Sequence, residues 1–199
     1  MTMRKFLVIL FLLPLLAGCK DKEEDILMSE HDKIVKFLTS SRRLTAEEDL
    51  GNVIDSEPPF YSTFGRYAYR HIVNYYDAGR EAKPIVYWGD KIEIRFTAYT
   101  FTGSAPSNSA IYWSNVPSVI EQLGKKSDNT LDWSKEPLQI TLGTTPLLKG
   151  LELTLPGCHE ADSVQVFMTS SLAYGDEIIN VVTKNSMVAW YMKIEKVLK

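Results

Sequence analysis

The chain has 199 residues, 45% hydrophobic and 24% charged, with a net charge of −3. That is ordinary globular composition, with enough length for one domain and a sizeable core. The mildly acidic balance argues against a nucleic-acid partner, which calls for a basic surface.

The first residues, "MTMRKFLVILFLLPLLAGCK", read as a basic stretch (Arg4, Lys5), an apolar run from Phe6 to Leu16, and then small residues. The run is about half the roughly 20 residues a helix needs to span a bilayer, so a transmembrane anchor is the weaker reading. "LAGC", Leu16 to Cys19, resembles the bacterial lipobox, in which the cysteine is acylated and becomes the new N-terminus. That resemblance implies a signal peptide over 1–18, lipid on Cys19, and a place in the cell envelope of a Gram-negative bacterium. Two or three acyl chains hold a protein on a membrane essentially permanently. With Cys19 taken by lipid, Cys158 has no disulfide partner and reads as a small buried hydrophobe.

Residues 19–25, with the charged run "KDKEED", read as a solvated, disordered tether: an export signal or a plain spacer. Over 26–65, Leu27, Ile34, Phe37, Leu38 and Leu44 recur at helical intervals from Ile26 to about Leu44. "TAEE", Thr45 to Glu48, has the pattern of a capping box and predicts a further helical turn. "DSEPPF" then breaks the chain, since successive prolines continue neither regular structure.

From residue 66 the period becomes two. Strands are predicted at 66–76, 90–101, 138–142, 163–170 and 187–197. The second is the clearest: Ile92, Ile94, Phe96 and Ala98 point one way, and Glu93, Arg95 and Thr97 the other. "TPLLKGLELTLPG", Thr145 to Gly157, predicts a helix, with Pro146 near its start and Gly157 past its end. The fold class is α+β: a curved antiparallel five-stranded sheet wrapped around one helix, preceded by an N-terminal amphipathic helix.

The tail from "PLLKGLELTLPG" through "LAYG" to "WYMKIEKVLK", together with "WGDKIEIRFTAYTF", resembles the FKBP-type peptidyl-prolyl isomerases over 66–199, with an insertion at 102–137. The resemblance implies a prolyl cleft between helix and sheet. Within it, the Tyr174 hydroxyl and the Leu148 N–H bind substrate, and Phe96 stands where a tyrosine is usual. Leu151 takes the floor position usually held by tryptophan. Leu138, Leu147, Val181, Val182 and Trp190 line the rest, and Tyr112 or Trp113 stands for an aromatic of the family's "F-D-S" motif. The aspartate of that motif has no counterpart in the chain.

Such a cleft needs no cofactor, metal or nucleophile. The resemblance implies proline-containing peptide segments as partners, and the changed residues leave two functions open. One is an isomerase or folding helper for exported proteins; the other is a non-catalytic peptide- or protein-binding or assembly module of the cell envelope. His31, His71 and His159 fall on different predicted elements, and no metal-ligand spacing, phosphate loop or nucleophile elbow is present.

Overall fold

The computed structural model describes residues 4–40, 43–46, 60–65, 67–125 and 131–199. A helix, α1 (Arg4–Thr39), is followed by strands β1 (Arg43–Ala46), β2 (Phe60–Phe64), β3 (Ala68–Ile72), β4 (Lys91–Phe101) and β5 (Ile111–Ser114). Next come helix α2 (Pro117–Leu123), β6 (Leu138–Thr141), helix α3 (Lys149–Thr154), β7 (Ser163–Met168) and β8 (Met187–Leu198). Among the described residues no helix is long and apolar enough to cross a membrane.

The strands form one sheet in the order β1-β2-β3-β7-β8-β4-β5, with β6 pairing the first half of β4. All pairs are antiparallel except β1 with β2. The β4–β8 ladder is its backbone, running from Lys91 opposite Leu198 to Phe101 opposite Met187. A bulge after Glu93 leaves Glu195 outside the register, where it receives the Arg95 guanidinium at 2.8 Å. The alternation read in β4 holds, with Ile92, Ile94, Phe96 and Ala98 all buried.

Both faces of the sheet are covered where β3, β7 and the first half of β8 run side by side. Tyr69, Phe167 and Ala189 lie side by side across β3, β7 and β8 and pack with Ile34 and Leu38 of α1. On the other face Val166, Met168, Val188 and Trp190 join Leu151 and Leu155 in the larger core cluster. Arg70 reaches across this face to α3, where its guanidinium donates to the carbonyls of Thr154 and Pro156 at 2.7 and 2.8 Å. A cation there satisfies carbonyls that the helix leaves open and complements its dipole.

Several sequence expectations are corrected. The sheet has eight strands rather than five, because the short β1, β2 and β5 lie in segments read as helical or as an insertion. Residues 20–25 continue α1 instead of forming a disordered tether, since Lys and Glu extend a helix readily once its neighbour is formed. The same helix stops at Thr39, well before Leu44. The hydroxyls of Thr39 and Ser40 donate to the carbonyls of Val35 and Phe37 and compete with further helical bonds. Thr45 and Ala46 of the "TAEE" turn are in β1, and Glu47 and Glu48 lie outside the described residues. The central helix is only Lys149–Thr154: Leu148 before it is extended (φ −60°, ψ 135°), and Pro156 limits its end.

Candidate active site

One cleft, of about 410 Å³, collects several of the residues named from sequence. Trp113 of β5, Leu138 and Ile140 of β6, Leu147 and Leu148 before α3, Tyr174 after β7 and Trp190 of β8 all line it. Its walls are apolar, as small-molecule clefts usually are, and its polar groups are few. They are the Tyr174 hydroxyl, the Glu177 carboxylate, Thr145 and the backbone beside Leu148. Among the described residues nothing accepts a hydrogen bond from the Leu148 N–H, which stands at the open first turn of α3.

The floor is aromatic. Trp190 stacks on Phe96 with ring centroids 4.4 Å apart and planes 21° from parallel. Trp113 meets both edge-on, at 4.7 Å from Phe96 and 5.6 Å from Trp190. Offset stacks and edge contacts of this kind fix ring positions beyond what area burial alone gives.

Tyr174 and Tyr112 form the polar wall. The Tyr174 hydroxyl donates to the Tyr112 hydroxyl at 3.2 Å, and the Trp190 indole N–H donates to the same oxygen at 2.8 Å. An indole only donates, whereas a phenol does either. Rotating both hydroxyls therefore reverses the first bond, so that Tyr112 donates and the Tyr174 proton turns to an acceptor in the cleft. Burial pushes the Tyr112 phenol well above its ordinary range. Burial also raises Tyr174, where the Tyr112 bond opposes the rise and Glu177 adds to it. Both are neutral donors at physiological pH.

The placement of the other predicted residues is mixed. Tyr174, Leu147, Leu148, Leu138 and Trp190 line the cleft. Leu151 does not: it is fully buried in the core, and Trp190 forms the floor in its place. Phe96 lies beneath that floor as its support, and Tyr112 lies buried behind Tyr174. Val182 is fully buried and Val181 is exposed, and neither lines the cleft. Ile140 was missed, although it is two residues from Leu138 on the same strand, so period two points to it. Glu177 carried no comparable signal. Cys158 is fully buried, as expected, with its thiol raised chiefly by burial.

The sequence matches the family of FKBP-type peptidyl-prolyl cis-trans isomerases over residues 89–194, more than half of the chain. The chain belongs to that family. None of the curated proteins compared with it matches. Among solved structures it is similar to the N-terminal domain of FKBP42 from Arabidopsis thaliana, at 14% identity and a TM-score of 0.47, covering 74% of this chain and 96% of that one. It is also similar to the three FKBP domains of wheat FKBP73, at 12% identity and a TM-score of 0.49. That match covers 71% of this chain and 51% of the wheat chain.

Proposed function

We propose that this protein is a lipid-anchored peptidyl-prolyl cis-trans isomerase, a folding helper for proline-containing segments of exported proteins. The observation that carries the reading is the convergence of three groups on one apolar cleft: the Trp190 floor, the Tyr174 hydroxyl and the unengaged Leu148 N–H. An X–Pro amide rotates over a barrier of roughly 18–20 kcal/mol because twisting breaks its resonance. A twisted amide is less polar than a planar one, so transfer from water onto Trp190 favours it. The two donors hold the flanking carbonyls while the bond turns. This is differential binding of a transition state by preorganised groups.

A protease-coupled assay on tetrapeptides with an internal proline tests the reading. Catalysis over the spontaneous rate is expected at micromolar protein, and Tyr174→Phe is expected to lower kcat/KM by roughly twofold to tenfold, the worth of one hydrogen bond. No acceleration by the parent chain rejects catalysis. A second reading is then favoured by the absence of a family-type aspartate: Trp113 and Tyr112 occupy β5, and among the described residues Glu177 is the one carboxylate lining the cleft. The cleft would bind a prolyl segment of an envelope protein without turning it.

The anchor is proposed on the support of "LAGC" and the apolar run before it, with Cys19 as the lipidated residue. The same motif supports the proposed export to the cell envelope.

A further inference from the structure

Glu30, Ile34 and Leu38 are spaced four apart, so they share one stripe of α1, and all three are buried. A carboxylate on an apolar stripe is costly unless it is engaged. One oxygen of Glu30 accepts two bonds from Ser170, from the backbone N–H at 2.9 Å and from the hydroxyl at 3.0 Å. Its other oxygen is buried without a hydrogen-bond partner among the described residues.

Ser170 opens the loop that carries Tyr174. Its carbonyl accepts the N–H of Ala173 at 3.0 Å and the N–H of Gly175 at 2.8 Å, one on each side of Tyr174. The loop is also a partition. The prolyl cleft touches it at Ala173, Tyr174 and Glu177, while a groove of about 460 Å³ against the middle of α1, Lys22 to Leu27, touches it at Ser170, Ser171, Gly175 and Asp176. A wall with open space on both sides is held by its few fixed points, and Ser170 is one of them.

We propose that Glu30 is a positioning residue for the cleft: through Ser170 it sets where Tyr174 stands, which makes α1 a working part of the site. For substrate affinity the inference rests on the function proposed above; for the order of the loop it does not. It is tested in the full chain with Glu30→Ala, Glu30→Gln and Ser170→Ala. The readouts are amide hydrogen exchange, residue by residue, and the affinity of a tetrapeptide with an internal proline measured by calorimetry.

In Glu30→Ala, exchange at Ala173 and Gly175 is expected to rise at least about fivefold, while β7 and β8 exchange as in the parent. Peptide affinity is expected to fall by about threefold to tenfold. Glu30→Gln keeps an acceptor oxygen and is expected to stay within about twofold of the parent in both. Ser170→Ala removes one donor, leaves α1 untouched and is expected to fall between them. Unchanged exchange at Gly175 in both alanine variants overturns the proposal, as does a rise shared equally by β7 and β8. A parent chain that binds no prolyl peptide counts against the proposed function alone, and the exchange comparison still decides this inference.

Discussion

At the residue scale the tyrosines divide the molecule's two faces between them. Tyr112 and Tyr174 serve the cleft; Tyr69 serves the contact with α1, where its hydroxyl lies 2.6 Å from His31 Nδ1. Burial first, and the Asp32 carboxylate second, push the Tyr69 phenol up to about 12. An unfolded phenol ionises near 10. Between these values the unfolded chain releases a proton that the native chain keeps, so stability is fully present below pH 10 and is lost as pH rises toward 12. Denaturant midpoints measured between pH 9 and 11.5 are expected to fall above pH 10 and to fall less in Tyr69→Phe. Equal slopes in the two proteins would contradict the assignment. Much of the cleft was legible one residue at a time, because Tyr174 and Leu148 sit in local motifs, "LAYG" and "LLKG". The floor was not. Whether Leu151 or Trp190 faces the cleft depends on how β8 lies over α3, a tertiary relation with no period in the sequence.

At the element scale, α3 and β7 meet at a glycine. A Cβ on Gly150 would stand 2.6 Å from the Met168 sulfur and 3.1 Å from its Cβ. The sulfur can swing aside, but the Cβ moves only with the strand. Alanine gains up to about 1 kcal/mol in helix propensity, while overpacking costs about 1–3 kcal/mol, so overpacking wins. Gly150→Ala is expected to lower unfolding stability by about 1–2 kcal/mol in a denaturant titration. Because Leu147 and Leu148 lead into α3, weaker prolyl-peptide binding is expected alongside. The long strands were legible as elements, since β4, β7 and β8 show a strong pattern of apolar residues. Of the short ones β3 and β6 were legible and β1, β2 and β5 were not: β5 has four residues in a segment without alternation on either side, and β1 exists by pairing with β2 rather than by its own composition.

At the scale of the whole molecule, α1 joins the proposed anchor to the sheet without a break. If Cys19 carries lipid, the Glu30 contact with Ser170 lies about three helical turns from the lipid. Replacing Cys19 with serine is expected to move the protein from the membrane fraction to the soluble fraction and to abolish incorporation of labelled palmitate. Retention in the membrane without palmitate would reject lipid as the anchor. The domain itself is expected to fold unchanged, because the buried α1 residues that pack on it, Glu30, Ile34 and Leu38, lie well after Cys19.

The sheet covered on both faces has a further consequence for how the chain tolerates change. Every residue of β3 is buried, and at the end of β7 Phe167 packs against α1 while Val166 and Met168 face the cleft-side core. A substitution at these positions therefore has no neutral side to fall on, and a one-residue slip would exchange the two interiors. Mutational freedom is left to the connecting loops, and those same loops build most of the cleft. In such an architecture the scaffold is the part that must stay fixed, and substrate preference is the part that can drift.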